Sequence, residues 1–527
     1  MGACVSKGVE AQSPEEQAHA LVSAAARGDA GAVQALLNRG VSPDATPAST
    51  QGGTALHLAT LHGRTEVVAR LLAAGCQVNA TDVIGATPLL AACLKGHYAC
   101  VQALLNAGAE ADAATSQDGT TSLHAACGEE HAGIVRLLLA AGAQTSVVTR
   151  GGATPAHLAA ARGSCEALSE LLAAGASVEV GDARGAQPLH AAAAHGSAAA
   201  VASLLAAGAS VSARTRRGST PLTLACQRGY ADAASALLAA GAQHSDADGR
   251  GMTPLLHAAA EGHTQCVSAL LSCGALPDTP SPEGFTPLLL AAWGGHASGV
   301  VLLLAAGALA EPPALKPPRS NARSTAPASA SAVAEWTPLL VAAQEGSLES
   351  VTALLAHGAA VDRADPEGST ALMFACQGAH VAVLRLLLHS GASVQLRDAE
   401  GATALHSAVY GAQSCGRFLA ACVGEDAVEC VRLLLAAGAD PGAKAAGGQT
   451  PAGMAAEAGG AVGVQLRRAM GAAASKSAKP SGAEGWSLGA VENSGSEVSN
   501  VAEPGRVPGS PRRRFAPSQR AIPSLDL

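Results

Sequence analysis

The chain carries 17 histidines and 13 cysteines, enough donor atoms for several metal centres or for a nucleophile with its base. A zinc site needs such ligands to converge, commonly as pairs a few residues apart. There is no C-x-x-C, no H-E-x-x-H and no phosphate-binding G-x-x-x-x-G-K-[ST]. Instead, His57, His124, His157, His190 and His406 fall at one position of a repeating unit. Cys93, Cys127, Cys226 and Cys376 fall at a second position, and Cys100 and Cys266 at a third. Groups dispersed at a fixed long spacing do not meet, so these cysteines read as small buried hydrophobes. No catalytic residue, cofactor or metal is expected, and an enzyme is the least favoured class. Cys415 and Cys422 lie in an insert, where a redox role stays open.

The N-terminus offers a different chemistry. Met1-Gly2-Ala3-Cys4-Val5-Ser6 fits M-G-x-x-x-[ST], the pattern for acylation of Gly2. One myristoyl chain binds a bilayer only marginally, with a constant of about 10⁴ M⁻¹, so a second anchor is required. No basic patch supplies it, because Lys7 is followed by Glu10, Glu15 and Glu16. Cys4 is the expected second anchor, by S-acylation, with palmitate as the natural group. A chance match to a short motif is the alternative. The N-terminus has no apolar signal-peptide core, which points to a cytosolic chain with reduced cysteines.

The elements that position these residues follow from the repeat. Its anchors are Thr54, Thr87, Thr121, Thr154, Gln187, Thr220, Thr253, Thr286, Thr337, Thr370, Thr403 and Thr450, spaced by 33 residues except for intervals of 34, 51 and 47. Proline after the anchor suits a first helical turn, where its missing N–H has no partner to lose. Glycine nine positions on, as at Gly229, turns the chain, and Leu-Leu-x-x-Gly closes a second helix with a left-handed cap. One such hairpin cannot bury its apolar face, so neighbours must stack.

Length, sequence and recurrence together resemble the ankyrin repeat, with Thr54-Ala55-Leu56-His57-Leu58-Ala59 and Gln187-Pro188-Leu189-His190-Ala191-Ala192 as close copies of its T-P-L-H-x-A signature. The resemblance spans roughly Glu15 to Gly471 and implies an all-α solenoid of about thirteen stacked helix-turn-helix units with short β-hairpin-like finger loops. It also implies that the recurring histidine hydrogen-bonds backbone between neighbours. The organisation expected is a flexible lipid-anchor segment at 1–14, repeats over 15–310, a Pro/Ala/Ser-rich disordered insert at 311–334, and repeats over 335–471. A second insert at 411–424 would stand between two helices of one unit, and a disordered tail would fill 472–527. The last helix is expected to end near Met470. The uncharged stretches 185–213 and 284–310 are long enough to span a bilayer, but they fall in register with the repeat and read as helix pairs.

In ankyrin-like stacks the finger tips and the exposed side of the first helix line a concave groove. The matching positions here carry arginine in the middle repeats: Arg184, Arg216, Arg217, Arg228 and Arg250, preceded by Arg150 and Arg162. Later repeats carry Glu283, Glu345 and Glu367 there, with Glu261 and Glu400 on either side. Phe285, Trp293, Trp336 and Tyr410 occupy the same positions. Trp, Tyr and Arg are enriched in interface hot spots. The alternative is that these residues are simply solvated, with Trp293 and Trp336 packed against neighbouring units.

Composition agrees with thin helices. Hydrophobic residues make up 48% but aromatics only 2%, so Ala and Leu must supply the buried contacts. The net charge of −8 disfavours nucleic acid as a whole-chain partner. The reading that results is a monomeric, non-catalytic protein–protein scaffold or adaptor, held to the cytoplasmic face of a membrane with a cytosolic pool. A substrate-recognition subunit of an enzyme complex such as a ubiquitin ligase, or a nuclear regulator, are the rivals. Arg512-Arg513-Arg514 in the tail is weak support for the latter.

Overall fold

The computed structural model describes residues 13–311, 336–418 and 421–476. Gly2 and Cys4, the body of the first insert and the tail with its three arginines lie outside the described residues. Among the described residues, twenty-six α-helices pair into the thirteen expected hairpins.

The Thr220 unit shows why each hairpin forms. Thr220 is extended (φ −88°, ψ 165°), and its Oγ1 accepts the Thr223 N–H at 3.2 Å, capping the helix Pro221–Arg228 with proline at the first position. Gly229 ends that helix at φ +80° and opens the turn to Ala231–Ala239. A side chain at Gly229 is excluded twice, because its Cβ would also come within 2.5 Å of the His263 ring in the next unit. Leu222, Ala225 and Cys226 on the first helix, and Ala233, Ala234 and Leu237 on the second, are wholly buried. Helices of eight and nine residues are too short to persist alone. Their stability comes from stacking, first helix on first helix and second on second, along the whole array.

Four sets of hydrogen bonds tie neighbours together. In the first, Thr54 N–H donates to His57 Nδ1 at 3.1 Å, so the ring proton sits on Nε2, which donates to Ala86 O of the next unit at 3.0 Å. His124 reaches Ala153 O, His157 reaches Ala186 O, and His406 reaches Gln449 O in the same manner. His190 reaches Ser219 O and also Ala213 O. The second is a ladder of fingers: Val83 N–H to Gln51 O, Ser116 to Ile84, Arg150 to Asp118, Ala183 to Gly151, Arg216 to Arg184 and Gly249 to Arg217. In the third, a carboxylate or amide four residues after the closing glycine accepts a backbone N–H of the following unit. Asp44 takes Gln77, Asn79 takes Glu110, Asp112 takes Gln144 and Asp362 takes Ser393. In the fourth, Nε2 of His97, His263, His296 and His380 donates to Leu61, Gln227, Ala260 and Gln344 O of the preceding unit.

Asp82 holds its own finger by accepting Ile84 and Ala86 N–H at 3.0 and 2.8 Å, and Asp182 and Asp398 do likewise. Antiparallel bridging within a finger is limited, among the described residues, to Ala114–Thr121 and Ala364–Thr370.

The structure moves three boundaries. The first helix already starts at Pro14, because Ser13 and Glu16 form a reciprocal cap ahead of it. The residues at 411–424 do not stand between two ordinary helices; they lengthen both, giving Ala404–Phe418 and Ala421–Ala436. The last helix runs from Gly460 to Lys476, beyond the expected end at Met470. The first insert leaves the stack intact: Pro287–Trp293 packs on Pro338–Gln344 across the 51-residue interval. Glu311 fills the loop-to-loop position there, accepting Ala360 N–H at 2.6 Å and pairing with Arg363 at 3.0 Å.

Burial lowers the pKa of His57, His124, His157, His190 and His406, only partly opposed by their carbonyl partners. Stability from the neutral rings is therefore complete above the unfolded histidine pKa near ~6.5 and is lost as pH falls through the lower folded values. The urea midpoint should drop between pH 7.5 and pH 5. His124→Ala, which leaves the Thr121 N–H without its partner and Ala153 O with the Thr149 N–H alone, should cost about 1–3 kcal/mol at pH 7.5 and flatten that dependence. Urea titrations at the two pH values check both.

Candidate functional site

Three of the four expected aromatic positions, Phe285, Trp293 and Trp336, meet in one row. Trp293 ends the helix Pro287–Trp293, and Phe285 stands just before the capping Thr286 of the same unit. Their rings meet edge to face at 6.2 Å. Trp336, at the matching position of the next described unit, stacks on Trp293 at 6.3 Å with planes 24° apart. Phe374 closes the row against Trp336 at 5.3 Å. Phe285, Trp293 and Trp336 are half-buried, while Phe374 is buried. Tyr410 is half-buried at the same helix position of the Thr403 unit. Phe374 sits four residues after its anchor on the buried side of its helix, so a reading confined to groove positions misses it.

The row lies where two of the recurring ties between units are missing, while His296 to Ala260 O and His380 to Gln344 O remain. Proline at 282 has no N–H to give the Arg250 carbonyl, and among the described residues the ladder next appears with Ala399 to Glu367. The recurring histidine is also missing there, replaced by Leu256, Leu289, Leu340 and Met373. The tryptophans therefore pack against neighbouring units, splinting the joint that spans the insert. They also keep part of each ring exposed. Structural and binding roles are compatible at half burial, because aromatic side chains offer a rigid apolar body to both.

Charge on this side is segregated. Glu261, Glu283, Glu345, Glu367 and Glu400 are exposed, and among the described residues none is in an ion pair. Arg184, Arg216, Arg217, Arg228 and Arg250 are likewise exposed. Arg150 lies over the preceding finger, donating to Ser116 O at 2.8 Å. Near the acidic end, burial first and then Glu367 push the Asp365 carboxyl up to about 6, against the Ser369 N–H that it accepts.

Among the described residues the cysteines and histidines are dispersed along the stack. Among the described residues no group of three or more His, Cys, Asp or Glu is placed to hold a metal ion. Burial pushes the Cys93 and Cys127 thiols up to about 12, far from a reactive thiolate at neutral pH. The Cys226 thiol is raised by its hydrogen bond with Cys266 and by burial. Cys415 and Cys422 lie in the lengthened helices, and their side chains fall outside the described residues.

One buried pair escaped the sequence pattern. His257 stands one place later than its counterparts, and its Nε2 meets Asp248 Oδ2 at 3.0 Å. Burial works against the Asp248 charge, but His257 and the Met252 and Arg250 N–H groups outweigh it and hold the pKa low. The pair ties a helix to its own finger rather than to the next unit. Among the described residues no helix is long and apolar enough to cross a membrane. The stretches 185–213 and 284–310 fold as hairpins of the stack.

A family model of ankyrin repeats matches residues 5–149, 156–312 and 320–427 in seven segments, and the chain belongs to the ankyrin-repeat family. No curated protein matches the chain. Ankyrin repeats are, in general, protein-interaction modules without catalysis.

If the tryptophans splint the joint, Trp336→Ala should lower unfolding free energy by about 2 kcal/mol, roughly half the cost at a fully buried position. The far-UV circular dichroism of the native variant should stay unchanged, while the near-UV band of the stacked indoles collapses. A denaturant melt and the two spectra measure this.

Proposed function

We propose that this protein is a non-catalytic scaffold or adaptor that docks a partner protein on the finger side of its stack. The observation that carries the reading is the row Phe285–Trp293–Trp336, held rigid yet partly exposed, beside Glu283, Glu345 and Glu367. A preformed surface loses little ordering entropy on association, so exposed aromatic area converts efficiently into affinity. The arginines from Arg184 to Arg250 extend the same surface toward the N-terminus. The chain works as a monomer, without a cofactor.

The second half of the proposal is location. Acylation of Gly2 and Cys4 tethers the N-terminus to the cytoplasmic face of a membrane, with a cytosolic pool when Cys4 is unmodified. The support is the motif itself, together with the absence of a basic patch that could replace the second acyl chain.

Proximity labelling in cells with wild-type, Gly2→Ala and Trp293→Leu/Trp336→Leu proteins tests the two halves separately. Gly2→Ala should move the protein off membranes, and unchanged membrane labelling would reject the tether. The leucine pair keeps apolar volume at the joint, so it should remain folded and lose the finger-side partner by about tenfold or more in labelling yield. An unchanged partner profile with a native circular dichroism spectrum would reject the aromatic site.

A further inference from the structure

The charges on the finger side form two blocks, and the separation of the blocks constrains what can lie across them. From the Thr154 unit to the Thr220 unit, the finger tips and first-helix ends carry arginines, and the acidic Asp182 beside Arg184 is spent on the N–H groups of its own finger. From Glu261 to Glu400 the same positions carry five glutamates and no lysine or arginine. Arg214–Asp246 and Arg363–Glu311 pair beside the fingers of these units, while the five glutamates of the acidic block form no ion pair among the described residues. Neither block is neutralised by the other, because they occupy different units. Like charges held side by side on a rigid surface repel, and an oppositely charged guest relieves that repulsion in addition to its own contacts.

The aromatic row falls within the acidic block. Indole faces beside carboxylates favour a guanidinium or ammonium group, which gains from the ring quadrupole and the carboxylate together. The apolar face of Phe285 and Trp293 also suits the methylene stems of such side chains.

We infer that the finger side takes one extended, charge-segregated peptide segment of a partner protein, its acidic block over Arg184, Arg216, Arg228 and Arg250 and its arginine- or lysine-bearing block over Trp293, Trp336, Glu345 and Glu367. The inference rests on the finger side being the docking side and adds the chemistry of the occupant. Spacing follows from the stack. The centres of the two blocks are three units apart, the Thr220 unit against the Thr337 unit. At roughly 10 Å per packed helix layer this is about 30 Å. An extended chain covers that distance in about nine residues, so the whole segment needs about twenty. Either chain direction satisfies the charges.

The test uses the full-length protein and fluorescent peptides of about twenty residues, a length set by the extended rise per residue. One peptide has an acidic block and an arginine block separated by a neutral linker. The second has the same composition with alternating charges. The third and fourth carry one block only. The segregated peptide should bind about tenfold or more tighter than the alternating one, and its affinity should fall as salt rises. Arg216→Glu/Arg250→Glu should reduce it to the level of the arginine-only peptide. Glu345→Lys/Glu367→Lys should reduce it to the level of the acidic-only peptide. Far-UV circular dichroism keeps both variants interpretable, since all four side chains are exposed. Equal binding of segregated and alternating peptides overturns the inference, as does full-strength binding by the acidic-only peptide, which would mark a simple polyanion site. If the leucine pair loses its cellular partner while the peptides fail to discriminate, only the charge inference falls. If the segregated peptide binds but neither charge variant weakens it, the finger-side reading falls with it.

Discussion

Everything in this protein depends on the fact that one 33-residue hairpin cannot bury its own apolar face. Two helices of seven to nine residues present alanine, leucine and cysteine on one narrow side, and only a neighbouring pair can cover it. Burial between units therefore supplies the stability that a single large core would supply elsewhere. The small side chains that allow close helix approach also explain a chain of 527 residues with ten aromatics. Polar groups caught between units must then be satisfied across the joint, because water cannot reach them. The neutral histidine bridging its own threonine cap and the next unit's carbonyl meets that demand with one ring.

The joints are not equivalent. From the N-terminus to the Thr220 unit, finger ladders and bridging histidines recur. Around the first insert the ladder breaks at Pro282, and apolar residues replace the histidine of the threonine cap. Aromatic packing joins the bridging His296 and His380 there. Phe285, Trp293, Trp336 and Phe374 span units that are distant in sequence, and Glu311 continues the loop-to-loop bond with a longer side chain. The same substitution that preserves the stack leaves indole surface in reach of a partner. Stability and recognition thus draw on one group of side chains, which is why conservative replacements separate the two roles better than alanine does.

Much of this was legible in the residues. Threonine, proline, histidine and glycine at fixed spacing carry their own local conformations, so the hairpin, its caps and its frame follow without long-range information. The aromatic and charged positions of the finger side were legible for the same reason, since the repeat maps each residue to a face. The lengthening of two helices at 411–424 was not, because an insert between two helices and an extension of both have the same length. Phe374 and the His257–Asp248 pair were missed because each lies one or more places away from the periodic position, and only packing reveals whom it meets.

The sequence alone thus determined the all-α repeat, its number of units and the sidedness of the residues, because these follow from local backbone preferences repeated in phase. Tertiary structure decided how the units are joined: which joint uses histidine, which uses a finger ladder and which uses stacked indoles. Those choices depend on distances between a side chain and a backbone group 29 to 49 residues away, such as His57 to Ala86 O and Glu311 to the Ala360 N–H. Periodicity places such residues on a face, but contact across a joint is set by how closely two hairpins pack.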